Sequence, residues 1–217
     1  DLGHEPIREV FNRFGIGHLP GTGFPGESAG SLPDRARWYA TEKVSLAFGY
    51  GISATPLQLA RAYSVFANGG VQAPLSLLAL NGEAPAGERI VSPQIAREVL
   101  GVLHGVTGDE GTARKARVPG YPVGGKTGTV RKIGPGGYLP DEYVAWFAGI
   151  APVDNPRIVT VVVINGPQGA AYGGGAVAAP LFSTVTQGAL RLLNMAPTDA
   201  AAIAEAVAAA ANAGGPV

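Results

Sequence analysis

Six consecutive residues past the middle of the chain, Gly124 to Thr129 (GGKTGT), combine one cation, two hydroxyls and three glycines. Two chemical patterns fit them. Counted from Gly120, they complete G-x-x-x-x-G-K-[ST], a loop that wraps nucleotide phosphates. Counted forward from Lys126, they are K-T-G, an extended segment that can hold an acyl substrate. The first chemistry needs a helix that begins at the Lys-Thr pair, and the second needs a strand, so the neighbouring residues decide between them.

The residues on either side of the motif disfavour a phosphate loop. The eight residues before Gly120 include three basic side chains and end in Pro119, which has no amide to donate, so a buried central strand is not expected there. The residues after Thr127 combine glycines, β-branched side chains and Pro135, and this composition disfavours a helix. We therefore retain nucleotide binding only as an alternative.

The segment Tyr121–Lys132 has instead the composition of a strand. In such a strand Lys126 would be a fixed cation, and the hydroxyls of Thr127 and Thr129 could hold a carboxylate. The absence of a side chain at Gly128 would let a substrate lie against the strand, and the amide of Thr129 could donate to an oxygen on which charge develops. These four residues are the predicted catalytic group.

The charge around the motif is one-sided. The whole chain of 217 residues carries 16 basic and 16 acidic side chains, a formal net charge of zero. Between residues 112 and 132, however, there are six basic residues and no acidic ones: Arg114, Lys115, Arg117, Lys126, Arg131 and Lys132. A local excess in a neutral chain suits a small anionic ligand, and we expect no nucleic-acid partner because no aromatic ladder accompanies the cluster.

Local signals predict the elements that position this strand. A helix is expected at about Pro6–Phe14, followed by a Gly/Pro-rich loop to Arg37. A second helix should be capped by Thr55 and end at Asn68-Gly69-Gly70. A third starts at Ser92-Pro93 and presents one apolar stripe: Ile95, Val99, Val102, Leu103 and Val106. Three antiparallel strands, 121–132, 143–150 and 157–164, and a covering helix at 176–193 complete the set.

Several segments, including the predicted strand, resemble segments of one protein family. They are Arg13–Gly17, Gly21–Glu27, Ala47–Ala60, Asn68–Gly70, Gly125–Thr129 and Trp146–Gly149. Over residues 5–195 the chain resembles the class B penicillin-binding proteins, and among them most of all the septal peptidoglycan transpeptidases of Gram-negative bacteria. The resemblance implies an α/β fold of the α+β type, with an antiparallel sheet flanked by helices, similar to serine β-lactamases and transpeptidases. It implies a serine-type D-Ala-D-Ala transpeptidase that β-lactams acylate.

The nucleophile of that family is not found in this sequence. Its S-x-x-K and S-x-N motifs match none of the serines of the 217 residues. The resemblance therefore implies that the nucleophile lies upstream of Asp1 and that this chain alone is inactive. It implies that residues 1–195 are the C-terminal part of a transpeptidase domain, incomplete in this chain. The Ala-rich residues 196–217 should form a flexible tail or frayed helix, because they lack large apolar anchors.

The resemblance also assigns substrate-binding residues, partners and a location. Tyr143 and Tyr172 match positions at the acyl pocket, and Gly173 forms part of the pocket wall at a position where related proteins often carry another aromatic residue. Arg131 is a further candidate for ligand contact. The alternatives stay open that the two tyrosines only pack and that Arg131 is a surface charge. Expected partners are D-Ala-D-Ala stem peptides, β-lactams, the upstream part of the same protein and division-machinery membrane proteins.

The implied location is the periplasmic face of the bacterial inner membrane, through an N-terminal anchor that precedes this chain. We expect no cofactor and no metal, because the three histidines lack metal-site spacing and there is no cysteine. A noncatalytic cell-wall scaffold remains a second alternative function.

Overall fold

The computed structural model describes residues 5–34 and 39–198 of the chain. The chain forms two compact units, Asp1–Ala96 and Arg97–Val217. The end of the predicted loop near Arg37 and most of the predicted Ala-rich tail lie outside the described residues. The motif lies in the second unit.

In its described residues, the first unit contains three complete helices and a small antiparallel sheet. The helices are α1 (Glu5–Arg13), α2 (Ala40–Ala47) and α3 (Pro56–Ala67), and the strands are β1 (Val71–Gln72) and β2 (Glu88–Arg89). The predictions of α1 and α3 are confirmed to within one or two residues. Helix α2 and strands β1 and β2 were not predicted, because they are short and have weak local signals.

Helix α3 begins at the predicted capping box. Gln58 N donates to Thr55 Oγ1 at 3.1 Å, and Thr55 N donates back to Gln58 Oε1 at 2.8 Å. The buried Gln58 amide also donates to the carbonyl oxygens of His18 and Ala29, each at 2.8 Å. One side chain thus starts the helix and fastens the Gly/Pro-rich loop to it.

The second unit is built around a three-stranded antiparallel sheet in the order β3-β4-β5. Its strands are β3 (Gly124–Gly134), β4 (Gly137–Ala151) and β5 (Ile158–Asn165). Helix α4 (Pro93–Gly105) begins in the first unit and ends in the second, which also contains a short 3-10 helix (Arg114–Ala116) and helix α5 (Gly174–Leu192). The predicted fold class, an antiparallel sheet flanked by helices, is confirmed.

Helix α5 covers one face of this sheet. The buried ring of Phe182 meets the buried ring of Phe147 edge to face, with 4.8 Å between ring centroids. A Cβ at Gly149 would lie 2.6 Å from the Phe182 ring, so the glycine makes room for the helix. Small buried residues, Ala178 and Ala179, bring α5 close to the strands. The core therefore lies directly behind the strands that carry the motif.

Strand β4 begins six residues earlier than predicted. Gly134 pairs with Gly137 and Ile133 with Tyr138, so β3 and β4 form a hairpin that extends past the part of β4 paired with β5. The register shifts between Arg131 and Ile133, and Asp141 adopts a positive φ of 57° on the opposite strand. The added residues contain Gly, Pro and Asp, which carry no strand signal, so the pairing with β3 and not their composition makes them a strand.

The predicted apolar stripe of α4 is partly wrong. Leu103 is buried, but Val102 is 73% exposed and Ile95 is 46% exposed. The buried apolar positions of this helix are Ala96 and Leu103, two turns apart. The predicted stripe covers more of the helix circumference than the one face that is buried.

Candidate functional site

Strand β3 carries the motif along a border of the sheet. Among the residues that the structure describes, its pairing partner is β4. Lys126 and Thr127 lie inside an 11-residue strand and not at the first turn of a helix. The segment before Gly120 forms a 3-10 helix and turns, not a buried strand. The structure therefore does not support the phosphate-loop alternative.

The backbone of β3 turns alternate amides toward the open border. Gly166 N donates to Tyr143 O at 2.9 Å, so Tyr143 and every second residue of β4 bond toward β5. The alternate residues of β4, such as Ala148, direct their backbone N–H and C=O groups toward β3 instead. Lys126 is paired with Ala148, so the backbone groups of Lys126 point toward β4. Those of Thr127 and Thr129 point away from β4. Two N–H groups of the motif therefore face the border, where a substrate can lie.

The side chains of the motif divide between the two faces of the sheet. Directly paired residues of an antiparallel sheet share a face, and Thr127 is paired with Phe147, which packs against Phe182 of α5. Thr127 and Thr129 are thus on the α5 face, and Lys126 is on the other. The exposed ammonium of Lys126 donates to Thr127 O at 2.8 Å. A cation and two hydroxyls therefore flank the border amides.

Glycines let α5 begin directly against the motif. A Cβ at Gly174 would lie 2.3 Å from Trp146 O and 2.6 Å from Gly128 O, so the helix can start here because position 174 has no side chain. On the opposite face, a Cβ at Gly128 would lie 1.9 Å from the Trp146 indole. Gly174 N donates to Thr129 Oγ1 at 3.0 Å. Because the Thr129 oxygen accepts this bond, its own proton is available for a ligand. Gly174 was not predicted as a site residue, although the run Gly173-Gly174-Gly175 is a signal of close backbone approach.

The two predicted pocket tyrosines come together in the structure. The rings of Tyr143 and Tyr172 stack with 4.1 Å between centroids and 14° between planes. Gly173 follows Tyr172, and a Cβ there would lie 3.9 Å from Thr129 Oγ1. The stacked pair is therefore connected to the motif by a single glycine.

Arg131 of β3 contacts Tyr143 of this pair. Its Nη2 donates to the Tyr143 hydroxyl at 3.2 Å, and its guanidinium carbon is 5.6 Å from the Tyr143 ring centroid. The hydrogen bond to Tyr143 raises the pKa of Arg131 above its ordinary value. The four predicted substrate-binding residues therefore lie together: Arg131 is on the border strand itself, and Tyr143, Tyr172 and Gly173 lie beside it.

Part of the basic cluster is paired. Arg117 contacts Asp109 at 2.7 Å and also donates to Thr107 O at 2.7 Å. The hydrogen bond from Arg117 holds the pKa of Asp109 below its ordinary value. Lys132 contacts Glu142 at 3.3 Å. These two basic residues are paired with carboxylates, whereas Lys126 donates to a backbone carbonyl and Arg131 donates to a tyrosine hydroxyl.

The described residues contain neither a membrane-spanning helix nor a metal-ligand cluster. In residues 5–34 and 39–198, no helix has the length and apolar character that crossing a bilayer requires. Over the same ranges, no three His, Asp or Glu side chains lie together as metal ligands would.

Known proteins are similar to this chain in sequence and in fold. The family model described as "Penicillin binding protein transpeptidase domain" matches residues 1–187. The peptidoglycan D,D-transpeptidase FtsI of Escherichia coli (strain K12) is 41% identical over 189 residues, which are 87% of this chain and 32% of that protein. The probable peptidoglycan D,D-transpeptidase PbpC of Pseudomonas aeruginosa is 42% identical over 196 residues, 90% of this chain and 34% of that protein.

A solved structure agrees with these relatives. The apo TP domain of penicillin-binding protein 3 from Burkholderia pseudomallei superimposes with a TM-score of 0.85 at 39% identity, covering 91% of this chain and 60% of that one. The chain spans about a third of the length of the curated relatives that it matches. Because the family model matches most of its residues, the chain belongs to the penicillin-binding protein transpeptidase domain family.

Proposed function

We propose that this chain is the motif-bearing part of a peptidoglycan D,D-transpeptidase, which cross-links stem peptides through a serine acyl-enzyme. The observation that carries the proposal is the placement of Lys126-Thr127-Gly128-Thr129 on an open sheet border, with cation, hydroxyls and outward amides around it. Relatives that share about two fifths of its residues bear the name peptidoglycan D,D-transpeptidase. The reacting serine is supplied from outside these 217 residues, since the S-x-x-K motif is absent from them.

In this proposal the border strand stabilises the charged steps of acyl transfer. The serine oxygen attacks the carbonyl carbon of the D-Ala-D-Ala amide, and the terminal D-Ala leaves as an amine. The carbonyl oxygen that gains charge accepts a hydrogen bond from the outward N–H of Thr129, a donor whose loss typically costs about a hundredfold to a thousandfold in rate. An amine of a neighbouring stem peptide then attacks the acyl-enzyme and releases the serine. Lys126 provides a fixed positive charge and an N–H donor on the other face.

The same border would orient the acyl donor. The hydroxyls of Thr127 and Thr129 hold its terminal carboxylate, and the Thr129 hydroxyl is prepared for this by the bond it accepts from Gly174. Arg131, Tyr143 and Tyr172 line the pocket beside the bound carboxylate. Gly173 adds no side chain to the wall of this pocket. A β-lactam carries a comparable amide and carboxylate, so it would acylate the same serine.

The further partners and the location are proposed on the family alone. The upstream part of the same protein would complete the active site, and membrane proteins of the division machinery would recruit it. We place the enzyme at the periplasmic face of the inner membrane, where its peptidoglycan substrate lies.

Labelling with fluorescent penicillin tests the proposed function. We expect the full-length protein to be labelled, Lys126→Ala to lose most of the label, and residues 1–217 alone to take none. Lys132→Ala is the matched control, because that lysine is on the same strand but paired with Glu142, and it should label normally. An unlabelled wild-type protein would favour the noncatalytic scaffold instead. A labelled fragment would show that the nucleophile lies within these residues.

A further inference from the structure

The hydroxyl of Thr112 faces the hydroxyl of Thr127. Their Oγ1 atoms are 3.5 Å apart. Thr112 lies outside the sheet, in the turn that leads from α4 to the 3-10 helix, and it is exposed. The next residue fixes this turn, because Ala113 is buried and its N donates to Val106 O at 3.0 Å. A hydroxyl from outside the motif is therefore held beside the hydroxyl of Thr127.

The orientation of Thr127 is set from the side of α5. A Cβ placed on Gly175 would lie 3.5 Å from the Thr127 methyl carbon and 2.3 Å from Thr112 O. The glycine thus lets the start of α5 lie against both threonines. A β-branched side chain has few χ1 states in a strand, so a methyl that points to Gly175 leaves the hydroxyl of Thr127 directed at Thr112.

The separation of the two hydroxyls suits a shared acceptor better than a mutual bond. Hydrogen bonds between hydroxyl oxygens are usually about 2.7–2.8 Å long, so 3.5 Å is a weak contact. Two donors at this separation can both reach one oxygen placed at about 2.7 Å from each, and an anionic oxygen accepts such bonds most strongly. Since Thr127 is on the α5 face of the sheet, an oxygen bound by both hydroxyls would also lie on that face. The carboxylate of the acyl donor is proposed to bind there.

We propose that Thr112 is a further substrate-binding residue, which donates to the carboxylate of the acyl donor together with Thr127. This inference rests on the proposed function and extends its carboxylate subsite beyond the border strand to the turn after α4. No covalent step is involved, and the residue acts by binding alone.

The experiment compares two probes on the full-length protein. One is a penicillin, and the other is the same penicillin with its ring carboxylate converted to a primary amide. Thr112→Val should lower the second-order rate of acylation by the penicillin roughly tenfold to a hundredfold, the range for a lost hydrogen bond to a charged group. The rate with the amide should change little. Thr112→Ser should restore the penicillin rate, and Thr184→Val, an exposed threonine of α5, should leave both rates unchanged.

The ratio of the two rates does not depend on the folded fraction of a variant, so partial misfolding cannot produce the expected result. Thr112→Ala provides a second variant if Thr112→Val is not obtained. Equal rates for wild type and variant would refute the assignment of Thr112, and so would an equal loss with both probes. Failure of the wild-type protein to react with penicillin would instead refute the proposed function itself.

Discussion

The backbone amide of Gly174 donates a hydrogen bond of 3.0 Å to the side-chain oxygen of Thr129. The bond joins the first residue of α5 to the residue whose amide and hydroxyl we assign to the substrate. The contact needs a glycine, since a Cβ at position 174 would lie 2.3 Å from Trp146 O and 2.6 Å from Gly128 O. The position of the helix and the chemistry of the border strand are therefore coupled.

Gly174→Ala should separate the start of α5 from β3. The added methyl overlaps two backbone oxygens that cannot move aside cheaply, and overpacking of this kind typically costs about 1–3 kcal/mol of stability. Loss of the bond to Thr129 should also slow acylation by penicillin, by about tenfold. Chemical denaturation and the acylation rate measure the two effects.

Gly188→Ala is the matched control on the same helix. Nothing lies within 4 Å of a Cβ at Gly188, and alanine is the better helix former by roughly 0.5–1 kcal/mol. We expect this variant to be slightly more stable and fully reactive. If the two alanine variants behaved alike, the close approach at Gly174 would have no functional role.

Removal of the Tyr143 hydroxyl should release Arg131. Tyr143→Phe keeps the ring stacked on Tyr172 but deletes the acceptor of the 3.2 Å bond, so we expect acylation to slow about threefold to tenfold. Tyr143→Ala should be slower still, because it also loses the aromatic stack. Tyr172→Phe leaves the bond from Arg131 in place and should react at the wild-type rate. Equal rates for all three variants would show that this array only packs.

The sequence predicted the elements that depend on local chemistry. The cap at Thr55 and the strand composition around the motif are properties of neighbouring residues, and both the capped helix and the strand appear in the structure. The pairing of Val71 with Arg89 and the early start of β4 depend on strands that meet only after folding. Short strands of this kind leave no periodic signal, and α2, with only eight residues, leaves little.

The candidate site also combines residues that a local motif reveals with residues that only the fold brings together. Lys126, Thr127 and Thr129 belong to one short motif, which a single sequence displays. Thr112 and Gly174 reach that motif from 15 and 45 residues away along the chain. Neither carries a distinctive side chain, so only their positions in the fold distinguish them from other threonines and glycines.

Phe182→Ala should destabilise the unit that carries the motif. The ring is fully buried against Phe147, and truncation of a buried phenylalanine to alanine typically costs about 3–5 kcal/mol. Leu181→Ala, at the adjacent and partly exposed position, should cost much less. Chemical denaturation of both variants checks the difference, and similar losses would show that the α5 face is not the core of this unit.

Asp109 should make the stability of this unit depend on pH at the acidic end. Its hydrogen bond from Arg117 holds its folded pKa below the ordinary value of about 4. A carboxyl with a lowered folded pKa contributes stability above its unfolded pKa and loses that contribution as the pH falls through the folded pKa. Asp109→Asn should therefore be less stable than wild type at neutral pH, and the two should converge below pH about 4.

Glu110→Gln provides the control for that experiment, since it removes the adjacent carboxylate and leaves the pair of Asp109 and Arg117 intact. It should retain the acid-dependent loss that Asp109→Asn lacks. Thermal unfolding across the acidic range measures both variants. Because Arg117 closes the turn in which Thr112 lies, acylation by penicillin should weaken together with stability in Asp109→Asn. A difference between Asp109→Asn and wild type that stayed constant at every pH would mean that the ion pair does not hold this turn.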